Sequence, residues 1–110
     1  MDKRTETGML LEFYGALLTQ KQRMMLLLHY DEDLSLAEIA EQEKISRQAV
    51  RDAIVRGEEQ LREYESRLGL MARDMEIIKK LRELETKETD ADARETLARL
   101  IERIEGTDGV

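Results

Sequence analysis

Not one proline interrupts this chain of 110 residues. Proline lacks the amide donor a helix needs and clashes with the preceding turn, so its absence removes the strongest helix stop. A chain this free of it, and rich in Glu, Leu, Arg and Ala, is expected to be all-α. There is also no Cys and only one His. That leaves no disulfide framework, no thiolate chemistry and no ordinary zinc set, as expected of a cytoplasmic protein. The longest apolar run, residues 24–28, is far below the roughly 20 residues that span a bilayer. No apolar leader opens the chain, so neither export nor membrane insertion is expected.

Helical spacing divides the chain. Leu10, Phe13, Tyr14, Leu17 and Leu18 recur at offsets of three and four, which predicts a short amphipathic helix over residues 8–18. Thr19 with Gln22 forms a capping-box pattern that opens a second helix running to about Tyr30. Asp31, Glu32 and Asp33 make an acidic break. Ser35 with Glu38 repeats the box and opens a short third helix with Leu36, Ile39 and Ala40 on one face. Ser46 is a third N-cap, followed by a long helix that ends at Leu68 and Gly69. Gly57 inside it predicts close approach of a neighbouring helix.

Met71, Met75, Ile78, Leu81 and Leu84 predict a fifth helix. After a polar stretch over residues 86–92, a sixth is expected to bury Leu97, Leu100, Ile101 and Ile104. The expected organisation is a domain over residues 1–70, a helical hairpin over 71–105 packed on it or on a partner, and a frayed tail over 106–110. Size and spacing favour a homodimer, since a small helical unit buries little alone.

Residues 35–57, SLAEIAEQEKISRQAVRDAIVRG, have the order of a helix-turn-helix: a short helix, a three- to four-residue turn and a second helix able to enter a major groove. Ala40 allows a close crossing, and Ile45 is an apolar turn residue. At about 100° per residue, Ala49, Val50, Ala53, Ile54, Gly57 and Leu61 share the buried side of the second helix. Gln48, Arg51, Asp52 and Val55 share the opposite side, flanked by Arg47 and Arg56. Gln and Arg suit paired hydrogen bonds to adenine and guanine edges, whereas Lys44, Arg47 and Arg56 suit phosphates. The Ser46 hydroxyl and the amides it caps can also face a phosphate. The candidate nucleic-acid contacts are therefore Lys44, Ser46, Arg47, Gln48, Arg51 and Arg56.

Charge pulls both ways. The chain as a whole carries −7. Residues 1–70 hold 10 basic and 14 acidic side chains and residues 71–110 hold 8 and 11, so the acidity has no single tail as its source. Residues 44–56 are instead net +3, from Lys44, Arg47, Arg51 and Arg56 against Asp52. Binding through bulk charge is excluded, and a local basic surface is left.

The stretch SLAEIAEQEKISRQAVRDAI resembles the helix-turn-helix of region 4 of bacterial sigma factors. With Phe13-Tyr14-Gly15, Leu17-Leu18-Thr19, Lys21-Gln22-Arg23, the acidic run into Leu34-Ser35-Leu36 and Ser46-Arg47-Gln48-Ala49-Val50, residues 10–70 resemble the YlxM-like family. That family commonly has an aromatic where Arg51 stands and Asn where Ala53 stands. The resemblance implies a bacterial regulatory protein of the signal recognition particle (SRP) pathway, binding DNA or the SRP RNA. The alternative is a module that docks on an SRP GTPase or RNA polymerase without touching nucleic acid.

Other chemistry has little support. His29 lacks the partners of a metal site, and Asp31, Glu32 and Asp33 lack a phosphate loop. No nucleophile–base pair or glycine-rich cradle stands out, so a non-enzyme without cofactor, metal or small-molecule substrate is expected. Met24, Met25, Met71 and Met75 read as packing residues.

Overall fold

A computed structural model of the chain describes residues 1–107. Its elements are α1 (Lys3–Tyr14), a 3-10 turn (Gly15–Leu17), α2 (Gln20–Tyr30), α3 (Leu36–Glu43), α4 (Arg47–Leu68), α5 (Leu70–Lys87) and α6 (Ala91–Thr107). The described residues form no strand, and the fold is all-α. Two compact units result, Met1–Leu68 and Gly69–Val110.

Three helix starts follow from side chains that satisfy otherwise orphaned amides. The Thr19 hydroxyl accepts from the Gln22 amide at 3.1 Å while Gln22 Oε1 accepts from the Thr19 amide at 3.3 Å. Ser35 and Glu38 make the same reciprocal pair at 3.1 and 3.0 Å. Ser46 Oγ accepts from the Ala49 amide at 3.0 Å.

In the first unit α4 is the spine, with α1, α2 and α3 all packed on it. Leu10, Leu11, Tyr14, Met25, Leu26, Ile39, Val50, Ile54 and Leu61 make its core. Gly57 is where α2 and α4 come closest: a Cβ placed there would lie 2.7 Å from Leu26 Cδ1 and 3.4 Å from Gln22 Cβ.

The start of the chain departs from the periodicity. The first helix begins at Lys3, not near Gly8, because Asp2 Oδ1 accepts from the Thr5 amide at 2.7 Å. The added turn binds into the fold. Arg4 donates to the carbonyl of Tyr30 at 3.1 Å, lies over the Tyr30 ring and pairs with Asp33, satisfying carbonyls at the end of α2. The same helix stops at Tyr14 and tightens into the 3-10 turn, which changes the angular phase. Leu17 therefore faces water at 55% exposure, while Leu18 is buried.

The second unit is an antiparallel helical hairpin, α5 packed on α6, with Arg82 and Glu105 joined at 2.8 Å. Its turn is shorter than the polar composition suggests: α5 runs to Lys87, and Asp90 Oδ1 already accepts from the amides of Asp92 and Ala93. Of the four residues expected inside α6, only Ile101 is buried; Leu97 and Ile104 are half-buried and Leu100 is exposed. Met75 and Leu84 are likewise exposed. Helix α6 continues through Gly106 and Thr107, where fraying was expected. The rest of that expected tail, residues 108–110, lies outside the described residues.

Candidate nucleic-acid interface

Helix α3, the turn at Lys44, Ile45 and Ser46, and the first turns of α4 build the site. Lys44 ends α3 in the left-handed region (φ 58°, ψ 43°), which reverses the chain sharply enough for α4 to start two residues later. Amide donation from Lys44 and Ile45 to the Ala40 carbonyl closes the turn. Ala40, Ile39 and Val50 are buried beneath it, and Ile45 is half-buried. This packing fixes the rotation of α4 about its axis, and so decides which side chains face outward.

Arg47, Gln48, Arg51, Asp52 and Val55 are exposed, and Ala53, Ile54, Gly57 and Leu61 are buried. Ala49, on the inner side, is half-buried. Among the described residues, Arg47, Arg51 and Arg56 form no ion pair. Their guanidinium charges are uncompensated by any close carboxylate, which is what a phosphate-facing surface requires. Gln48 differs. Its Nε2 donates to Asp52 Oδ1 at 2.8 Å, so the amide is held in one orientation along the helix.

The six sequence-derived candidates do not form one cluster. Lys44 and Ser46 lie in the turn, Arg47, Gln48 and Arg51 on the outer face, and Arg56 on the flank toward α2. There Arg56 borders an open groove with Thr19, Lys21, Gln22, Ala49, Asp52 and Ala53. Lys21 is the basic residue that reading the helix-turn-helix alone misses. Its signal was an exposed cation in the first turn of the helix that packs against α4. The Ser46 hydroxyl oxygen is occupied in capping Ala49, so its part in the interface falls to its O–H and to the amides it orders.

Glu58 is a second residue the pattern does not disclose. It sits in the charged sequence Arg56-Gly57-Glu58-Glu59, yet only 6% of its surface is exposed. Lys3 lies 3.5 Å and Arg62 3.9 Å from its carboxylate, and Tyr30 donates to it. These contacts make it a structural anchor rather than part of the outer face.

His29 is structural too, with Nδ1 2.8 Å from the Leu34 carbonyl. Among the described residues no group of three His, Cys, Asp or Glu side chains could hold a metal ion. No described helix is long and apolar enough to cross a membrane.

Comparison with known proteins gives a consistent result. Residues 1–101 match the family described as "Putative helix-turn-helix protein, YlxM / p13 like". A UPF0122 protein of Clostridium botulinum (strain Alaska E43 / Type E3) is 53% identical over 75 residues, covering 68% of this chain and 69% of the relative. UPF0122 proteins of Bacillus thuringiensis (strain Al Hakam) and Bacillus mycoides (strain KBAB4) are each 42% identical over 111 aligned positions, covering 98% of this chain and 99% of the relative.

Proposed function

Since this chain belongs to the YlxM/p13-like helix-turn-helix family, which is not an enzyme family, we propose that it is a bacterial regulatory protein that binds nucleic acid through α3, its turn and α4. The observation that carries this reading is the pair Arg47 and Arg51. Both are exposed and unpaired by any described carboxylate, at the end of α4 that leads into a groove in helix-turn-helix docking. In this proposal Lys44, Arg47 and Arg56 contact phosphates, while Gln48 and Arg51 face base edges, and the Ser46 cap presents its amides. The acidic remainder repels the phosphate backbone, so contact is confined to this strip.

The resemblance to the YlxM-like family extends the proposal to the cytoplasmic SRP pathway, with DNA or the SRP RNA as ligand. A homodimer belongs to the same reading, because paired half-sites need two copies of α4. The exposed Ile77, Leu84 and Leu100 of the hairpin offer apolar surface for it. Sedimentation giving the monomer mass at every concentration would remove that part.

The test of binding is a titration with labelled duplex DNA and with SRP RNA over a range of salt. Phosphate contacts give a steep fall in affinity with salt, and Arg47→Ala/Arg51→Ala flattens the slope by about two. No binding at low salt would refute the reading. One observation supports a second reading, docking on an SRP GTPase or RNA polymerase: Asp52 and Glu59 stand exposed on the same outer face. Capture of such a partner with no nucleic-acid binding would favour it.

A further inference from the structure

Val55 has no structural reason to be where it is. It is 41% exposed on α4, yet it is β-branched and apolar. An exposed helical position favours Ala, Lys, Glu or Arg, because β-branching restricts the side chain against the preceding turn. Every other residue within three positions on the outer face is charged: Arg51, Asp52, Arg56 and Glu59. Val55 lies seven residues after Gln48. That places the two about 20° apart around the axis and about 10.5 Å apart along it, a separation near three base steps.

Gln48 and Asp52 give the strip a matching polar end. One Nε2 hydrogen of Gln48 is spent on Asp52. The other hydrogen and Oε1 remain, and together they form the paired donor and acceptor that fit the N7 and N6 of adenine. An ordered Gln followed, on the same line, by an exposed apolar methyl pair has a specific complement in one groove only. The major groove of B-form DNA presents the thymine C5-methyl, the one apolar group on any base edge there. RNA offers neither feature: its major groove is too deep and narrow to admit a helix, and uracil lacks the methyl.

We infer that the outer strip of α4 reads duplex DNA, with Val55 packed on the C5-methyl of a thymine about three base steps from the base read by Gln48. This rests on the nucleic-acid reading proposed above and narrows it to one ligand class and one specificity-determining residue.

The experiment selects a binding sequence from a random duplex DNA pool with the full chain. Each thymine of the selected site is then replaced singly by deoxyuridine, which removes only the methyl. Wild type and Val55→Ala are measured on every duplex, and on an RNA duplex of the same sequence. Val55→Ala is expected to fold normally, because the side chain is exposed and Ala is the better helix former; circular dichroism checks this. At one thymine the substitution is expected to weaken wild type about fourfold, the worth of one buried methyl. Val55→Ala should lose a similar factor on the thymine duplex and little on the deoxyuridine duplex, since the two changes remove the same contact.

Deoxyuridine without effect at every position, or Val55→Ala weakening both duplexes equally, overturns the inference while leaving DNA binding intact. RNA duplex bound as tightly as DNA overturns it while leaving nucleic-acid binding intact. Failure to select any sequence, with no binding at low salt, overturns it together with the reading beneath it.

Discussion

The hydroxyl of Tyr30 donates to Glu58 Oε1 at 2.6 Å, joining the last residue of α2 to the middle of α4. The Thr7 hydroxyl on α1 hydrogen-bonds the same phenol, and Lys3 reaches the same carboxylate. Three helices thus meet on one buried polar pair. Removing the phenol hydroxyl leaves Glu58 with only its two weaker charged neighbours. Tyr30→Phe is therefore expected to cost about 1–3 kcal/mol, the range for under-satisfying a buried acceptor. Urea unfolding followed by circular dichroism measures it. An unchanged midpoint would mean that Lys3 and Arg62 already suffice.

The same pair sets a pH dependence. Burial, and then the adjacent Glu58, push the Tyr30 phenol above its ordinary value near 10. The folded state therefore holds that proton more tightly than the unfolded chain. Its contribution is complete below the unfolded value near 10 and is lost as pH rises through the higher folded value. At the acid end the sign reverses. The Ser35 amide and hydroxyl hold Glu38 below its ordinary carboxylate value, and the Thr5 amide does so for Asp2. What these two caps contribute is present above about pH 4 to 5 and disappears as pH falls through their lowered values. Urea midpoints across pH should decline on both sides, and Tyr30→Phe should flatten only the alkaline decline.

Gly57→Ala tests the crossing of α2 and α4. Alanine improves helix propensity by about 1 kcal/mol over glycine. Against that, the new methyl would meet Leu26 Cδ1 at 2.7 Å, and Leu26 is wholly buried with Gln22 Cβ beside it. Overpacking of a buried site costs about 1–3 kcal/mol. The clash outweighs the propensity, so the net expectation is a lower urea midpoint, and a raised one would show that Leu26 can turn aside freely.

Much of the molecule was legible because its signals are local. The pairs Thr19–Gln22 and Ser35–Glu38 announce two helix starts within four residues, and Ser46 a third. Gly69, at φ 63°, stands where the sequence ends the long helix. Buried Val50, Ala53, Ile54 and Leu61 follow from counting at helical period. What stayed hidden is set by residues distant in the chain. Glu58 reads as one more surface carboxylate until Tyr30 and Lys3 are brought to it. Lys3 and Arg4 read as a polar leader until the end of α2 gives them carbonyls and a carboxylate to hold. Arg56 and Lys21 are 35 positions apart in sequence and share a groove only because α2 packs on α4. In the hairpin, periodicity marks an apolar stripe but not how much of it one neighbour can cover, so Leu84 and Leu100 end up exposed.

Lys44 separates folding from binding. It is a non-glycine residue at φ 58°, where a Cβ crowds the following carbonyl at a cost of about 1–2 kcal/mol. Glycine takes that conformation readily, at some entropic cost from the freer unfolded chain. Lys44→Gly is thus expected to raise stability by about 1 kcal/mol while removing one phosphate contact. A urea midpoint that rises while the salt slope of binding falls by about one would separate the two roles. Unchanged binding with raised stability would exclude Lys44 from the interface.

Asp52→Ala bears on how the outer face divides affinity from selectivity. The carboxylate lies among cations and repels phosphates, so its loss takes residues 44–56 from a net +3 to +4 and strengthens binding to any duplex. Its hydrogen bond also holds the Gln48 amide in the orientation that suits adenine. Without it Gln48 samples several rotamers and loses part of that pairing, since ordering the side chain must then be done on binding. The expected outcome is tighter binding to random DNA together with a narrower gap between the preferred site and random DNA. Competition titrations against both duplexes measure the two quantities separately. A gap that widens or stays constant would show that Asp52 does not orient Gln48 for recognition, whatever happens to overall affinity.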